Sequence, residues 1–227
     1  KEVESYGRTM DKFIDSLNDS SNDLVRSIYG FLVLHWSLCL ETISKRFEEE
    51  SSSTGTFTTF RDLASKRFDE ALERNVFTWI SDELLTFSPL FEEDETLSEF
   101  CVHIVSDLAI SLIEHMSWKL EAIQEYQTSA IRHQTPLPHA RYHRVTEKFM
   151  KFVSSIYYTN SQHASHFLYS CYNFLVKDMP QFFQSMSLPS EGVHTYSFVS
   201  YIQLLSALSK NADCAREVFR MLKEPLN

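Results

Sequence analysis

His133, His139 and His143 fall within one short stretch, and the last two stand four residues apart, a spacing that sets two imidazoles on one helical face for a metal ion. Loaded with metal, that cluster would be the site of a helical enzyme. Against it, no cysteine or carboxylate lies between His133 and His143, and His139 follows Pro138 at a helix start, so these imidazoles read as solvent-facing side chains. His163 and His166, three apart, read the same way. The glycines Gly7, Gly30, Gly55 and Gly192 are isolated, so neither a dinucleotide fingerprint nor a phosphate-cradling loop can be built. No GxSxG elbow and no HExxH pair occurs. The expectation is a protein that is not an enzyme, with no catalytic residue, no metal ligand and no cofactor.

A second pattern concerns charge. Arg141, Arg144, Lys148 and Lys151 follow helical spacing and form a basic stripe on a chain whose formal net charge is −10. The stripe reads as a protein-contact surface for an acidic peptide or a neighbouring subunit; the plainer alternative is a solvated face neutralised by intrachain ion pairs. The overall negative field repels a phosphate backbone, so no direct nucleic-acid partner is expected. Ser88-Pro89 and Thr135-Pro136 match the minimal proline-directed phosphorylation pattern. A phosphate at Thr135 would lie near Arg132 and Arg141, whereas one at Ser88 would meet the acidic run from Glu92 to Glu95. Cys39, Cys101, Cys171 and Cys214 are scattered with no CxxC pair and read as reduced core thiols.

The elements that must carry these residues are helices. Val145, Phe149, Phe152, Val153 and Ile156 recur every three or four residues, which places all five on one helical face; period-two alternation would split them. Similar stripes are Tyr6, Met10, Phe13, Ile14 and Leu17; then Leu24, Ile28, Phe31, Leu32, His35, Cys39 and Ile43; then Phe60, Leu63, Ala64, Phe68, Ala71 and Leu72. They continue with Val76, Phe77, Ile80, Leu84 and Phe87, and with a long helix bearing Leu97, Phe100, Cys101, Ile104, Leu108, Leu112, His115, Ile123 and Tyr126. Phe167, Leu168, Cys171, Phe174 and Leu175 precede Pro180, and the closing hairpin sets Phe198, Tyr201, Ile202, Leu205 and Leu208 against Ala215, Val218, Phe219 and Leu222.

Punctuation is sparse. Gly30 inside its helix signals a close neighbour, a tight break is expected near Asn75, and Asn211 reads as the cap of the last helix. A mobile polar loop is expected at about residues 48–58, and a Pro-containing linker at about 132–140. With 18 Phe, 10 Tyr and 3 Trp but only 4 Gly, the chain is too apolar for disorder and too poor in glycine for hairpin-rich β architecture. The fold class expected is all-α: an irregular HEAT-like α-solenoid, a superhelical stack of antiparallel helix pairs, with residues 1–227 forming one segment of a larger chain. No apolar run approaches the ~20 residues that cross a bilayer, so no transmembrane segment is expected.

The order of segments resembles the large α-solenoid scaffold nucleoporins of the nuclear pore's inner ring. The residues that carry the resemblance are Leu34-His35-Trp36-Ser37-Leu38-Cys39-Leu40, the hairpin Glu70-Ala71-Leu72-Glu73-Arg74-Asn75-Val76-Phe77, and Met116-Ser117-Trp118-Lys119-Leu120. The closing hairpin adds Tyr196-Ser197-Phe198-Val199-Ser200-Tyr201 and Ala215-Arg216-Glu217-Val218-Phe219-Arg220-Met221-Leu222-Lys223. The resemblance implies a segment from the N-terminal half of such a scaffold, located in the nucleus at the nuclear envelope and its pore complexes. It further implies a structural role in nucleocytoplasmic transport, with inner-ring and linker nucleoporins as partners and transport receptors as further candidates. No Phe-Gly repeat is present, which excludes the barrier-forming class. The alternative is a soluble karyopherin-like transport receptor or adaptor built from similar repeats.

Overall fold

The structure, a computed structural model, describes residues 2–18, 22–50, 54–86, 95–133, 142, 144–180 and 193–223. These residues are helical or lie in tight turns, with no strand among them. The protein is therefore all-α, as its lack of glycine and its three- and four-residue apolar spacing require. Its internal contacts divide into two compact units, Lys1–Val76 and Phe77–Asn227.

The first unit holds α1 (Glu2–Asn18), α2 (Asp23–Glu50) and α3 (Thr54–Glu73). Phe60, Ala64, Phe68, Ala71 and Leu72 of α3 are buried, the stripe expected for that helix apart from the half-exposed Leu63. Gly30 of α2 explains itself: a Cβ there would lie 3.0 Å from Arg74 Cβ, tighter than ordinary contact, so a larger residue would push the neighbouring backbone outward. Asn75 turns the chain after α3 with φ 52°, a left-handed geometry that asparagine tolerates.

Two expected faces in this unit are corrected. On α1, Ile14 is buried but Tyr6 and Phe13 are 61% and 54% exposed. The inward face instead runs through Gly7, against the Phe60 ring, and Asp11, which binds Arg67. On α2, the buried positions are Tyr29, Val33, Leu34, Trp36, Ser37, Leu38, Leu40, Glu41 and Ser44, while Cys39 is exposed and Phe31, His35 and Ile43 are partly covered. The face is rotated by about one residue from the apolar stripe, because it accepts Ser37, Glu41 and Ser44 into the core. The polar loop expected at 48–58 is also shorter at both ends. Helix α2 runs to Glu50 and α3 starts at Thr54; residues 51–53 lie outside the described set.

The second unit opens within α4 (Val76–Trp79), at Phe77, and α4 widens into a π-helical turn at Ile80–Leu84. It continues with α5 (Glu95–His133), α6 (Val145–Thr159), a 3₁₀ turn (Ser161–His163) and α7 (Ala164–Ser170). A second π-helical turn (Phe174–Asp178) precedes α8 (Val193–Leu208) and α9 (Ala212–Lys223).

Helix α6 is the hub. All five of its stripe residues, Val145, Phe149, Phe152, Val153 and Ile156, are at most 2% exposed, and α4, α5 and α8 pack around it. Phe77 stacks on Phe152 at 5.5 Å between ring centroids and meets Phe149 edge-on at 5.2 Å. Phe149 in turn meets Phe174 edge-on at 6.1 Å, so both π-helical turns border the same aromatic cluster.

Long helix α5 is kinked at Met116, where φ −118° and ψ 23° leave the helical region. By length and composition Thr96–Ala130 is long and apolar enough to cross a membrane, which corrects the expectation that no run approaches that size. In this fold its Val102, Val105, Leu108, Ala109, Leu112 and Met116 are buried in the unit's core. Phe100 and Tyr126, expected inward, are 59% and 49% exposed.

Candidate protein-contact surfaces

Of the three clustered histidines that promised metal chemistry, the structure describes one. His133 is exposed at the end of α5, while His139 and His143 lie outside the described residues. His163 is partly buried and His166 exposed, and the His163 and His103 rings lie 6.1 Å apart between centroids. His103 lies 3.5 Å from Asp107. Among the described residues, no group of three or more His, Cys, Asp or Glu is placed to hold a metal ion.

The basic stripe is partly neutralised within the chain. Arg144, in a left-handed conformation just before α6, forks onto both carboxylate oxygens of Glu147. Lys151 reaches Asp82 at 3.4 Å. Lys148 is partly buried and engaged, and Arg141 lies outside the described residues. Of the four cations, Lys148 and Lys151 lie on α6, and Arg144 and Lys151 serve intrachain ion pairs.

The four cysteines form no disulfide. Cys171 and Cys214 are buried, Cys101 is intermediate, and Cys39 is exposed, against the expectation of a core thiol there. Burial, with the Glu114 carboxylate adding to it, pushes the Cys171 thiol up to about 12. Such a thiol is inert as a nucleophile at neutral pH. Ser88 and Thr135 both lie outside the described residues.

Two polar clusters escape a reading of the sequence. In the first unit, Arg67 is 3% exposed and binds three carboxylates: Asp11 and Asp15 at 2.7 Å, and Glu70 at 2.7 Å. Glu70 also accepts the Tyr29 hydroxyl at 2.5 Å, and Asp11 accepts Trp36 Nε1–H at 3.2 Å. Burial alone would lower the Arg67 pKa; the bonds to Glu70, Asp15 and Asp11 outweigh it and hold the guanidinium above its ordinary value. Burial and the Glu70 hydrogen bond together raise the Tyr29 phenol.

In the second unit, Gln127 donates to the Tyr142 carbonyl at 2.9 Å and accepts from Thr146 Oγ1 at 2.7 Å. Lys119 reaches the Tyr142 hydroxyl at 3.4 Å, and Ser106 pairs with Tyr157 at 2.7 Å. Both clusters tie helices together. A charged residue on an otherwise apolar helical face was the one available signal: Arg67 falls between Ala64 and Ala71.

What the molecule offers outward is apolar surface on helices. Tyr6 and Phe13 project from α1, with Met10 and Leu17 partly covered between and beyond them, at the i, i+4, i+7 and i+11 positions of one face. Phe198, Val199 and Ile202 project from α8, and Phe219 and Leu222 from α9. Tyr158 and Tyr169 are exposed as well, the first beneath the ammonium of Lys210 at 3.2 Å from the ring centre. These features describe an all-helical protein with apolar side chains exposed on α1, α8 and α9. Comparison with protein-family models, with curated proteins and with solved structures finds no match.

Proposed function

We propose that this chain is a segment of an inner-ring scaffold nucleoporin, an irregular HEAT-like stack of antiparallel helix pairs that works by protein contact and not by catalysis. It would reside at the nuclear pore complex of the nuclear envelope, bind inner-ring and linker nucleoporins, and so support nucleocytoplasmic transport. The observation that supports this reading is the combination of an all-helical chain with large aromatic side chains left outward on its first and last described helices. A helix whose apolar stripe is not consumed within its own unit is suited to stack on a neighbour, the way repeat proteins extend their core. The order of helical segments described above adds to it.

Affinity capture from nuclear-envelope extract, with this chain as bait at low and moderate salt, tests the reading. Enrichment of inner-ring and linker nucleoporins is the expected result. Recovery of a small GTPase with transport cargo instead would replace it by the karyopherin-like receptor.

A further inference from the structure

We propose that the outward face of the closing helix α9 is a docking site for an acidic amphipathic segment of another protein. Phe219 and Leu222 stand three residues apart near the end of α9 and so share one helical face. At that end Phe219 is 67% and Leu222 62% exposed, a level of aromatic and aliphatic exposure that marks a binding face when it is clustered.

Charge defines the occupant. Arg216, Arg220 and Lys223 share the outer face of α9 with Phe219, at i, i+4 and i+7, and all three are exposed. Arg220 is held by Glu217 at 2.5 Å and donates to the Tyr172 hydroxyl at 3.2 Å. Arg216 and Lys223 have no ion pair among the described residues, although the chain carries 31 acidic against 21 basic side chains. An apolar centre beside Arg216 and Lys223 fits a partner whose Phe, Leu or similar anchors are flanked by Asp and Glu.

A second copy fits it poorly. A second copy seated face to face would bring Arg216 and Lys223 against the same cations. The net charge of −10 opposes self-association further. The inference does not depend on the nucleoporin reading, since it concerns the chemistry of the segment bound and not its origin.

Display selection of random short peptides on the purified chain tests it, with the Arg216→Glu, Lys223→Glu double variant used for counter-selection. The selected peptides are expected to be net acidic with aromatic or aliphatic anchors. Their affinity should fall at least about tenfold in that variant and in Phe219→Ala, Leu222→Ala. All four side chains are exposed, so both variants should keep the parent's circular dichroism and melting midpoint. Peptides without acidic bias, peptides that bind both variants as well as the parent, or no selected binder would overturn the proposal. So would sedimentation velocity showing a dimer that Phe219→Ala, Leu222→Ala dissolves, because the face would then belong to a second copy.

Discussion

Arg67 shows how a single buried charge can organise a helical unit. Its guanidinium draws Asp11 and Asp15 of α1 toward Glu70 of its own helix, and that pull fixes which side of α1 turns inward. Replacing it by methionine, which keeps most of the volume, would leave Asp11 and Glu70 partly buried without their cation. Breaking a buried pair in this way costs on the order of 3 kcal/mol, and α1 should detach first. Urea denaturation followed by Trp36 fluorescence should register the loss, because the indole N–H is bonded to Asp11. A second residue-scale prediction concerns alkali. The Cys171 thiol is pushed up to about 12 and the Tyr201 phenol to about 12, in both cases chiefly by burial. The folded state therefore keeps these protons at a pH where the unfolded chain releases them, from about 8.5 for the thiol and about 10 for the phenol. Their contribution to stability is complete below those values and declines as pH rises toward 12. Melting midpoints measured upward from neutral pH should fall over that window, and Cys171→Ala should flatten part of the fall. At this scale the sequence was legible where size alone decides, as at Gly30, and illegible where a polar side chain joins the core, as at Arg67, Glu41 and Gln127.

Helices differ in how firmly their stripes predict their buried faces, and α6 and α2 are the two extremes. On α6 every apolar position of the stripe is buried, since the helix is surrounded on several sides. On α2 the apolar residues are so frequent that two overlapping stripes exist, and tertiary packing selects the one containing Ser37, Glu41 and Ser44. Periodicity ranks faces by hydrophobicity, but packing ranks them by fit to neighbours the sequence does not display. The same distinction separates α6 from α9 experimentally. Phe152→Ala removes a fully buried ring stacked on Phe77 and should cost about 3–5 kcal/mol. Phe219→Ala removes an exposed ring and should leave stability within about 0.5 kcal/mol. Chemical denaturation of the two variants side by side checks both values. The cap of α9 gives a third comparison. Asn211 Oδ1 accepts from the Asp213 and Cys214 amides at 3.0 and 3.2 Å, and its Nδ2 donates to the Ser161 carbonyl at 3.2 Å. Asn211→Ala should destabilise the protein by about 1–2 kcal/mol, toward the upper end for a cap because the tie to Ser161 is lost as well.

Taken whole, the chain presents an acidic exterior, two compact helical units and aromatic side chains outward on α1, α8 and α9. That combination suits association with other proteins and opposes contact with a phosphate backbone. No retardation of duplex DNA or RNA by the purified chain is expected at physiological salt, which an electrophoretic mobility assay checks. The all-helical class could be read from composition and spacing because both signals extend over the full length. The candidate contact surfaces were harder to read, since an exposed Phe on α9 and a buried one on α6 occur in the same kind of stripe. Only the presence or absence of a covering helix separates them. The central claim, a resident scaffold of the nuclear pore, is a claim about residence. It is tested most directly by fluorescently tagging the endogenous polypeptide that contains this chain and following photobleaching recovery at the nuclear rim. A rim-localised signal that does not recover while transport receptors exchange is the predicted result. A diffuse signal, or a rim signal recovering as fast as a transport receptor, would contradict it.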